Sequence, residues 1–359
     1  MTHPVIPSRQ ARPTAPRAGA TSPRGGSGAP RGGDAGPQAG SAPDGPLSRP
    51  RRALRILAGI SCLPYLSLKV AWISGSHVGI PEHSSLLEHR ATMIFANGLT
   101  VLMDAAVLVL VLLLTRPWGL RTPAWLIAVP MWVASGLLVP IMAGFPLHLL
   151  VTAFGGGAGD GGTGSGEPFL DDWVFGVVYT GFILQGLTLG ALFVLYAKDR
   201  WAHLWRGPLG GPGRGGGRIA AVCAALLALF PVTVHLLWAA GADAGLTASR
   251  AEERTAGFSA LEYLNVLYLV AAATGALLLT FRRPPARSAR VPLALTWLGS
   301  GAVGCWGAWL LFGALLGAGD IGARPTGTML LTYAVHMIVG LLAAAVGARF
   351  LGERAGSGR

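Results

Sequence analysis

The sequence predicts an all-α integral membrane protein with eight transmembrane helices, arranged as two parallel four-helix repeats. Three observations lead to this fold class. The 359-residue chain is 52% hydrophobic and only 12% charged, whereas a soluble domain usually carries about a quarter charged residues. The apolar residues are concentrated in eight runs, each close to the ~20 residues needed to cross a bilayer. A motif in the first run recurs in the second half of the chain.

The N-terminal segment, residues 1–52, is a basic tail built from Pro, Gly, Ala, Ser and Arg with almost no large apolar residue. Such a composition buries too little apolar surface to offset the entropy lost on ordering. We therefore expect a disordered, solvated tail. Binding to anionic lipid headgroups and an incorrectly assigned start codon are the alternatives.

Eight apolar segments follow the tail, each long enough to span the membrane as a helix. They lie at residues 53–75, 91–114, 122–144, 173–197, 218–240, 260–281, 292–316 and 327–350. The first four form one predicted repeat (53–197) and the last four a second (218–350). A Gly- and Arg-rich linker (198–217) joins the repeats, and residues 351–359 form a short tail.

Basic residues predict the orientation of the chain. The loops on one side and the C-terminus carry most of the arginines outside the tail, while the loops on the other side have only Arg90, Arg250, Arg254 and Arg324. By the positive-inside rule both termini are cytoplasmic. The net charge of +12 is thereby explained by topology, so we expect no nucleic-acid partner. The Arg-, Gly- and Ala-rich composition is typical of a GC-rich bacterial genome, which places the protein in the bacterial inner membrane.

The two halves share sequence patterns. A basic residue followed by x2-Trp-x2-Gly-x3-Gly begins at Lys69 and again at His235, and the pattern Trp-x2-Ser-Gly begins at Trp132 and at Trp297. A unit of four spans returns the chain to the side on which it started. The two repeats should therefore be related by an axis along the membrane normal.

The second copy of the first pattern, His-x2-Trp-x2-Gly from His235, resembles a motif in a family of small four-span bacterial membrane proteins of unknown function. The similarity covers about one helix and its exit loop in each half. The first copy has Lys69 where the histidine would be. The resemblance implies a duplicated four-span unit but no chemistry, because that family has no assigned activity.

Ionisable and amide side chains inside the predicted spans are the candidate functional residues, because such groups are costly in hydrocarbon. They are Lys69, Asp104, Gln185, His235 and His336. Counted along each helix from the nearest basic loop, they lie at similar depths of roughly 18–25 Å. We therefore expect a polar layer at the interface between the repeats, with an ion pair between Lys69 and Asp104.

Two interpretations of this layer stay open. In the first, Asp104 and His235 exchange protons or bind a polar solute, and Lys69 keeps the aspartate ionised. In the second, the polar groups are satisfied pairs that determine helix register. The chain contains neither HExxH nor GxSxG, and its glycine runs lack the ending of a phosphate-binding loop. We therefore predict no catalytic residue, no cofactor and no metal.

Three functions are compatible with these features. The first is a transporter or permease for a small polar solute. The second is a non-catalytic subunit or scaffold that contacts other membrane proteins as well as the lipid bilayer. The third is a membrane-embedded enzyme acting on a lipid or an outer-face substrate, which would need residues such as His83 and His89 in the first outer loop. The missing catalytic motifs favour the first two.

Overall fold

The computed structural model describes residues 48–81, 90–154, 170–210, 217–252, 254–283, 285, 288–316 and 324–357, without the side chains of 90–93 and 357. Most of the predicted disordered tail, residues 1–52, therefore lies outside the described residues. Its boundary was wrong, since the first helix already begins at Arg49. Pro50 is tolerated in the first turn because that turn has no partner for its N–H. Arg51 then anchors the helix by an ion pair with Asp199 at 2.5 Å.

The predicted all-α membrane fold is confirmed, because eight helices are long and apolar enough to cross a membrane. In chain order the helices are α1 (Arg49–Ile73), α2 (Arg90–Thr115), α3 (Ala124–Phe154), α4 (Asp172–Trp205), α5 (Arg218–Ala239), the short α6 (Ala248–Glu252), α7 (Ala256–Phe281), α8 (Arg290–Leu315) and α9 (Gly327–Ser357). A 3-10 helix, Pro117–Arg121, connects α2 to α3. All but α6 are candidate spans, so the chain is a polytopic membrane protein.

Three helices are longer than predicted. α3 continues to Phe154 although it contains three prolines, α4 continues to Trp205 and α9 to Ser357. For α4 and α9 the predictions stopped where the apolar runs stop, but Lys, Arg and Ala are good helix formers in water as well. For α3 the additional residues 145–154 are themselves mostly apolar, so the predicted bound was too short. The first part of the predicted linker 198–217 is therefore helix.

Consecutive membrane helices run in opposite directions, so the connections between them lie alternately at the two ends of the bundle. At one end, hereafter the basic end, α1 begins and α4 terminates, joined by the Arg51–Asp199 pair. At the same end the guanidinium of Arg354 in α9 donates to backbone carbonyls at the end of α4 and just beyond it, namely Leu204 (3.2 Å), Arg206 (3.4 Å) and Pro208 (2.5 Å). These carbonyls have no partner within α4, so the last helix of the chain caps the fourth.

The shared motif that starts at Lys69 and His235 forms the same turn at the ends of α1 and α5. In each copy the tryptophan donates its indole N–H to the carbonyl six residues later, at 2.8 Å in the first and 3.0 Å in the second. Both glycines of each copy have positive φ, which favours glycine: 97° and 73° at Gly75 and Gly79, and 105° and 80° at Gly241 and Gly245. The motif is therefore a helix-ending device.

Helices α3 and α8 exchange hydrogen bonds in both directions. Trp132 of α3 donates its indole N–H to the Ser300 hydroxyl at 3.0 Å, and Trp297 of α8 donates to the Ser135 hydroxyl at 2.9 Å. Between these bonds the backbones meet so closely that a Cβ on Gly136 would lie 2.5 Å from a carbonyl oxygen of α8. The apolar cores lie on either side of this contact. One is built from residues of α1–α4, and the other is built mainly from residues of α5 and α7–α9.

Small residues also bring α8 against α9. A Cβ on Gly340 would lie 2.3 Å from the Cα of Gly304, so the two helices pack through small residues as membrane helices commonly do. On α4 the glycines behave differently: a Cβ on Gly190 would meet nothing within 4 Å, and a Cβ on Gly186 would meet the side chains of Met142 and Leu138 but no backbone. Among the described membrane helices, the closest backbone contact therefore lies between α8 and α9, whereas α4 approaches backbone at Gly181, where a Cβ would lie 3.2 Å from the Ser61 carbonyl oxygen of α1.

We predict that Gly340→Ala destabilises the protein by about 1–3 kcal/mol, because the added methyl overlaps the backbone of α8. Gly190→Ala is the matched control, since the same change meets open space and improves helix propensity. The free energy of unfolding in detergent measures both. Equal stability of the two variants would contradict the α8–α9 contact.

Candidate functional site

The five predicted site residues lie in two separate clusters. The first cluster is enclosed by α1, α2 and α4 and contains Lys69, Asn97, Asp104 and Gln185; the second is enclosed by α5, α7 and α9 and contains His235, Glu262 and His336. Among the described residues, no hydrogen bond or ion pair joins one cluster to the other. The expected single layer at the interface of the halves is thereby corrected, because each cluster lies inside its own half.

Lys69 contacts Asn97 rather than Asp104. Its Nζ donates to Asn97 Oδ1 at 2.6 Å and lies 4.8 Å from the ring centroid of Tyr65 and 4.9 Å from that of Trp72. The predicted ion pair was wrong because depth was counted to the Cα atoms. The long lysine side chain extends toward the end of the bundle where α2 begins, as lysines near a membrane surface do. Two aromatic faces and an amide there partly replace water.

Asp104 is the least satisfied ionisable group in the first cluster. It is only 4% exposed, and its Oδ1 accepts a hydrogen bond from Gln185 Nε2 at 3.2 Å. Its Oδ2 is buried without a hydrogen-bond partner. A buried carboxylate with one neutral donor is costly, so Oδ2 is the atom at which this cluster could take up a proton or accept a donor from a solute.

The second cluster is a continuous chain of three ionisable side chains. His235 Nδ1 is hydrogen-bonded to Glu262 Oε2, and His235 Nε2 lies 3.0 Å from His336 Nε2. The three residues are only 5–6% exposed. The Trp238 ring lies edge-on to the His235 ring, with centroids 5.5 Å apart. Both nitrogens of the central imidazole are therefore occupied, and its orientation is held on three sides.

Glycine on α8 makes room for this chain of residues. A Cβ on Gly307 would lie 2.7 Å from the Cβ of His336 and 2.7 Å from the Tyr333 carbonyl oxygen. Only glycine therefore allows α9 to approach α8 at the level of His336. At the start of α7, the Thr255 hydroxyl accepts from the Phe258 N–H at 3.2 Å, a capping bond that stabilises the helix end two turns before Glu262.

Glu262 was missed by the sequence prediction because it lies only two residues inside the predicted span 260–281. Close to a span end, a carboxylate is normally solvated and carries no signal. The comparison of the halves could have found it, since Asn97 and Glu262 occupy the same place relative to the sequence Leu-Leu-Leu-Thr that ends α2 (112–115) and recurs in α7 (277–280). The partners of Lys69 and His235 are therefore equivalent in position.

The second cluster can relay one proton without any change of backbone. In the starting state, His336 Nε2–H donates to His235 Nε2, and His235 Nδ1–H donates to the Glu262 carboxylate. Each hydrogen bond then has one donor and one acceptor. A proton that enters at His336 Nδ1 can then shift both bridging protons by one bond. The histidines end neutral and Glu262 ends as the neutral acid, so that one proton has moved from α9 to α7.

The described residues contain no group of three or more His, Cys, Asp or Glu that could hold a metal ion. In the second cluster the reason is geometric, since the two imidazoles bond to each other through Nε2 and leave no space for an ion between them. The outer-loop residues His83 and His89 lie outside the described residues.

We predict strong energetic coupling between His235 and Glu262. In a double-mutant cycle with His235→Gln and Glu262→Gln, the coupling should be about 1.5–3 kcal/mol, as expected for a buried hydrogen bond that involves a charged group. The matched cycle of His235→Gln with Asp104→Asn should be additive within about 0.5 kcal/mol because the residues share no partner. Unfolding free energies in mixed detergent give both values, and equal coupling in the two cycles would refute separate clusters.

We also predict that Lys69→Ala couples more strongly to Asn97→Ala than to Asp104→Ala. The amide accepts the lysine hydrogen bond directly, whereas the carboxylate does not contact the ammonium group. The same unfolding measurement applies. A larger coupling with Asp104 would restore the ion pair that the sequence suggested.

Comparison of the chain with protein-family models, with curated proteins and with solved structures found no match. The resemblance of the His-x2-Trp-x2-Gly motif to small four-span membrane proteins therefore stays an expectation. A function for this polytopic membrane protein is therefore inferred from its own residues, first of all from the contacts of the buried polar side chains.

Proposed function

We propose that the chain is a proton-coupled transporter of a small polar solute in the bacterial inner membrane, with the second cluster as its proton-handling element. The observation that carries the proposal is the hydrogen-bonded series Glu262–His235–His336, which is buried between three membrane helices. Ionisable groups at such positions are costly, and in membrane proteins they commonly form ion and proton pathways. A proton relay is the chemistry that this geometry supports best.

The first cluster supplies the polar solute site of the proposal. The unpartnered Oδ2 of Asp104 can accept a hydrogen bond or balance a positive charge, while Lys69 provides the opposite charge on the neighbouring helix. A solute with both donor and acceptor groups suits such a site. The proton cluster in one half and the solute cluster in the other then correspond to the two tasks of a coupled carrier.

We further propose that the two halves are parallel repeats related by an axis along the membrane normal, with both termini in the cytoplasm. The reciprocal hydrogen bonds between Trp132 and Ser300 and between Trp297 and Ser135 support the repeat, because a two-fold axis pairs residue i with j and j with i. The concentration of arginines at the basic end supports the orientation. Parallel repeats of this kind occur in transporters.

The proposal predicts proton movement that depends on Glu262. Purified full-length protein would be reconstituted in liposomes that contain a pH-sensitive dye, with a potassium diffusion potential as driving force and mixed amino acids, sugars and organic acids outside. We expect the wild type to acidify the lumen faster than empty liposomes, and Glu262→Gln and His336→Gln to fall to the empty-liposome rate. The relay needs an ionisable group at both positions, whereas a structural hydrogen bond does not.

The matched control is Asp199→Asn, which removes an exposed carboxylate from the ion pair with Arg51 at the basic end and should keep the wild-type rate. Wild-type flux in Glu262→Gln would remove the second cluster from the proton path. Rates equal to those of empty liposomes for the wild type, with and without solutes, would reject transport.

A non-catalytic membrane subunit is the second candidate, and one observation favours it. Both imidazole nitrogens of His235 are already satisfied inside the protein, as expected for a group whose role is to hold α5, α7 and α9 together. In that case Glu262→Gln and His336→Gln lower the stability of the protein but leave the proton flux equal to that of the wild type. A partner protein then purifies with the chain.

A further inference from the structure

A large cavity opens at the basic end of the bundle, away from both polar clusters. Its volume is about 710 Å³, and it is lined by α3, α4, α8 and α9. The wall is predominantly apolar and includes Phe193, Trp201, Leu293, Trp297 and Leu351. Three cationic side chains also line it: Lys198, Arg206 and Arg290. None of the predicted site residues takes part.

The three cations are exposed, and within the described part of the chain their side chains make no hydrogen bond or ion pair. The carboxylates at this end are already paired, Asp199 with Arg51 and Glu353 with Arg282. Among the described residues, the charge at the cavity is therefore positive and has no paired carboxylate.

Two other arginines at the same end show the contrast. Arg200 donates to the carbonyls of Gly119 (3.2 Å) and Thr122 (2.6 Å), and Arg354 donates to three carbonyls at and just beyond the end of α4. Each of these guanidinium groups therefore joins its own helix to the backbone of another segment. The three cations of the cavity have no such structural task, which leaves them free to meet an external anion.

We propose that this cavity binds one anionic phospholipid from the surrounding leaflet. Its phosphate lies among Lys198, Arg206 and Arg290, and its acyl chain lies against the apolar wall. Arginine and lysine are the usual partners of phosphate, and basic pockets between membrane helices characteristically bind anionic headgroups. A soluble anion would interact only with the cations. A neutral lipid would interact only with the apolar wall. An anionic amphiphile matches both, and the site is independent of the proposed proton chemistry.

The position of the cavity supports a lipid as the occupant. The cations lie at the ends of α4 and α8, where the apolar spans give way to the polar connections. This is the level at which headgroups meet the hydrocarbon. Phe193 on α4 and Leu293 and Trp297 on α8 lie further along the same helices, within the apolar part of the span. Trp201 and Leu351 lie nearer the helix ends, at the level of the cations. The headgroup of a lipid would therefore lie against the cations, and its acyl chain would lie against the apolar wall deeper in the membrane.

The test is a thermal titration of full-length protein in neutral detergent. Phosphatidylglycerol would be added to the wild type, with phosphatidylcholine of the same acyl chains and inorganic phosphate as comparison ligands. We expect phosphatidylglycerol to raise the melting midpoint in a saturable way and both comparison ligands to have little effect. In Arg206→Gln/Arg290→Gln the apparent affinity should fall by roughly 30-fold, from about 1 kcal/mol per cation near a lipid surface.

Two further variants distinguish the contribution of the lipid headgroup from that of the acyl chain. Arg116→Gln removes an exposed arginine at the same end but outside the cavity and should leave the affinity unchanged. Ala294→Trp fills the cavity from α8 while it keeps all three cations, so it should abolish the phosphatidylglycerol shift. Native mass spectrometry of the double glutamine variant, whose changes are at exposed positions, measures lipid retention without reference to melting.

Three outcomes overturn the proposal. An equal shift with phosphatidylcholine means that charge plays no part. A full shift with inorganic phosphate identifies an anion site without a lipid tail. An unchanged affinity and unchanged lipid retention in Arg206→Gln/Arg290→Gln place the lipid elsewhere on the protein.

Discussion

Close backbone contact along α8 is the constraint on which the rest of the structure depends. This helix meets α7 at Gly299, α3 at Gly301 and α9 at Gly304 and Gly307, and in each case a Cβ would lie within 3.3 Å of backbone or a neighbouring side chain. In hydrocarbon there is no hydrophobic force between helices, so such packing contributes directly to association. Larger residues here would separate the helix that carries His336 from those that carry its neighbours.

The two halves use equivalent backbone positions for different chemistry. In the first half a lysine donates to an amide, and in the second an imidazole bonds to a carboxylate. The same helix ending, with its tryptophan and glycines, lies one turn beyond each pair. If the halves descend from one unit, as we propose, the scaffold has kept its packing while the ionisable residues have diverged, so each half can hold a distinct protonation state.

Much of the fold could be predicted from sequence, because a span is determined by length and hydropathy and both are local properties. The extents of α4 and α9 could not, since they depend on contacts beyond the apolar runs, such as Arg354 capping α4. The five candidate residues are indeed buried or half-buried, because the cost of charge in hydrocarbon is also local. Their partners depend on how each helix is rotated, and that is why Asn97 replaced Asp104 beside Lys69 and why Glu262 was missed.

The hydrogen bonds of Arg354 have a consequence for the order in which the protein is assembled. The carbonyls that this arginine binds belong to the segment that leaves α4 and leads toward the second half, yet Arg354 itself lies in α9, which follows α4 by more than 100 residues. During synthesis the first half is inserted long before its connection to the second can be capped. The hydrogen bonds of Arg354 form only after α9 has been synthesised, because Arg354 follows all eight spans' apolar segments in chain order. A chain truncated just before Arg354 therefore retains the apolar parts of the eight candidate spans but lacks the contact that ties its two halves at the basic end.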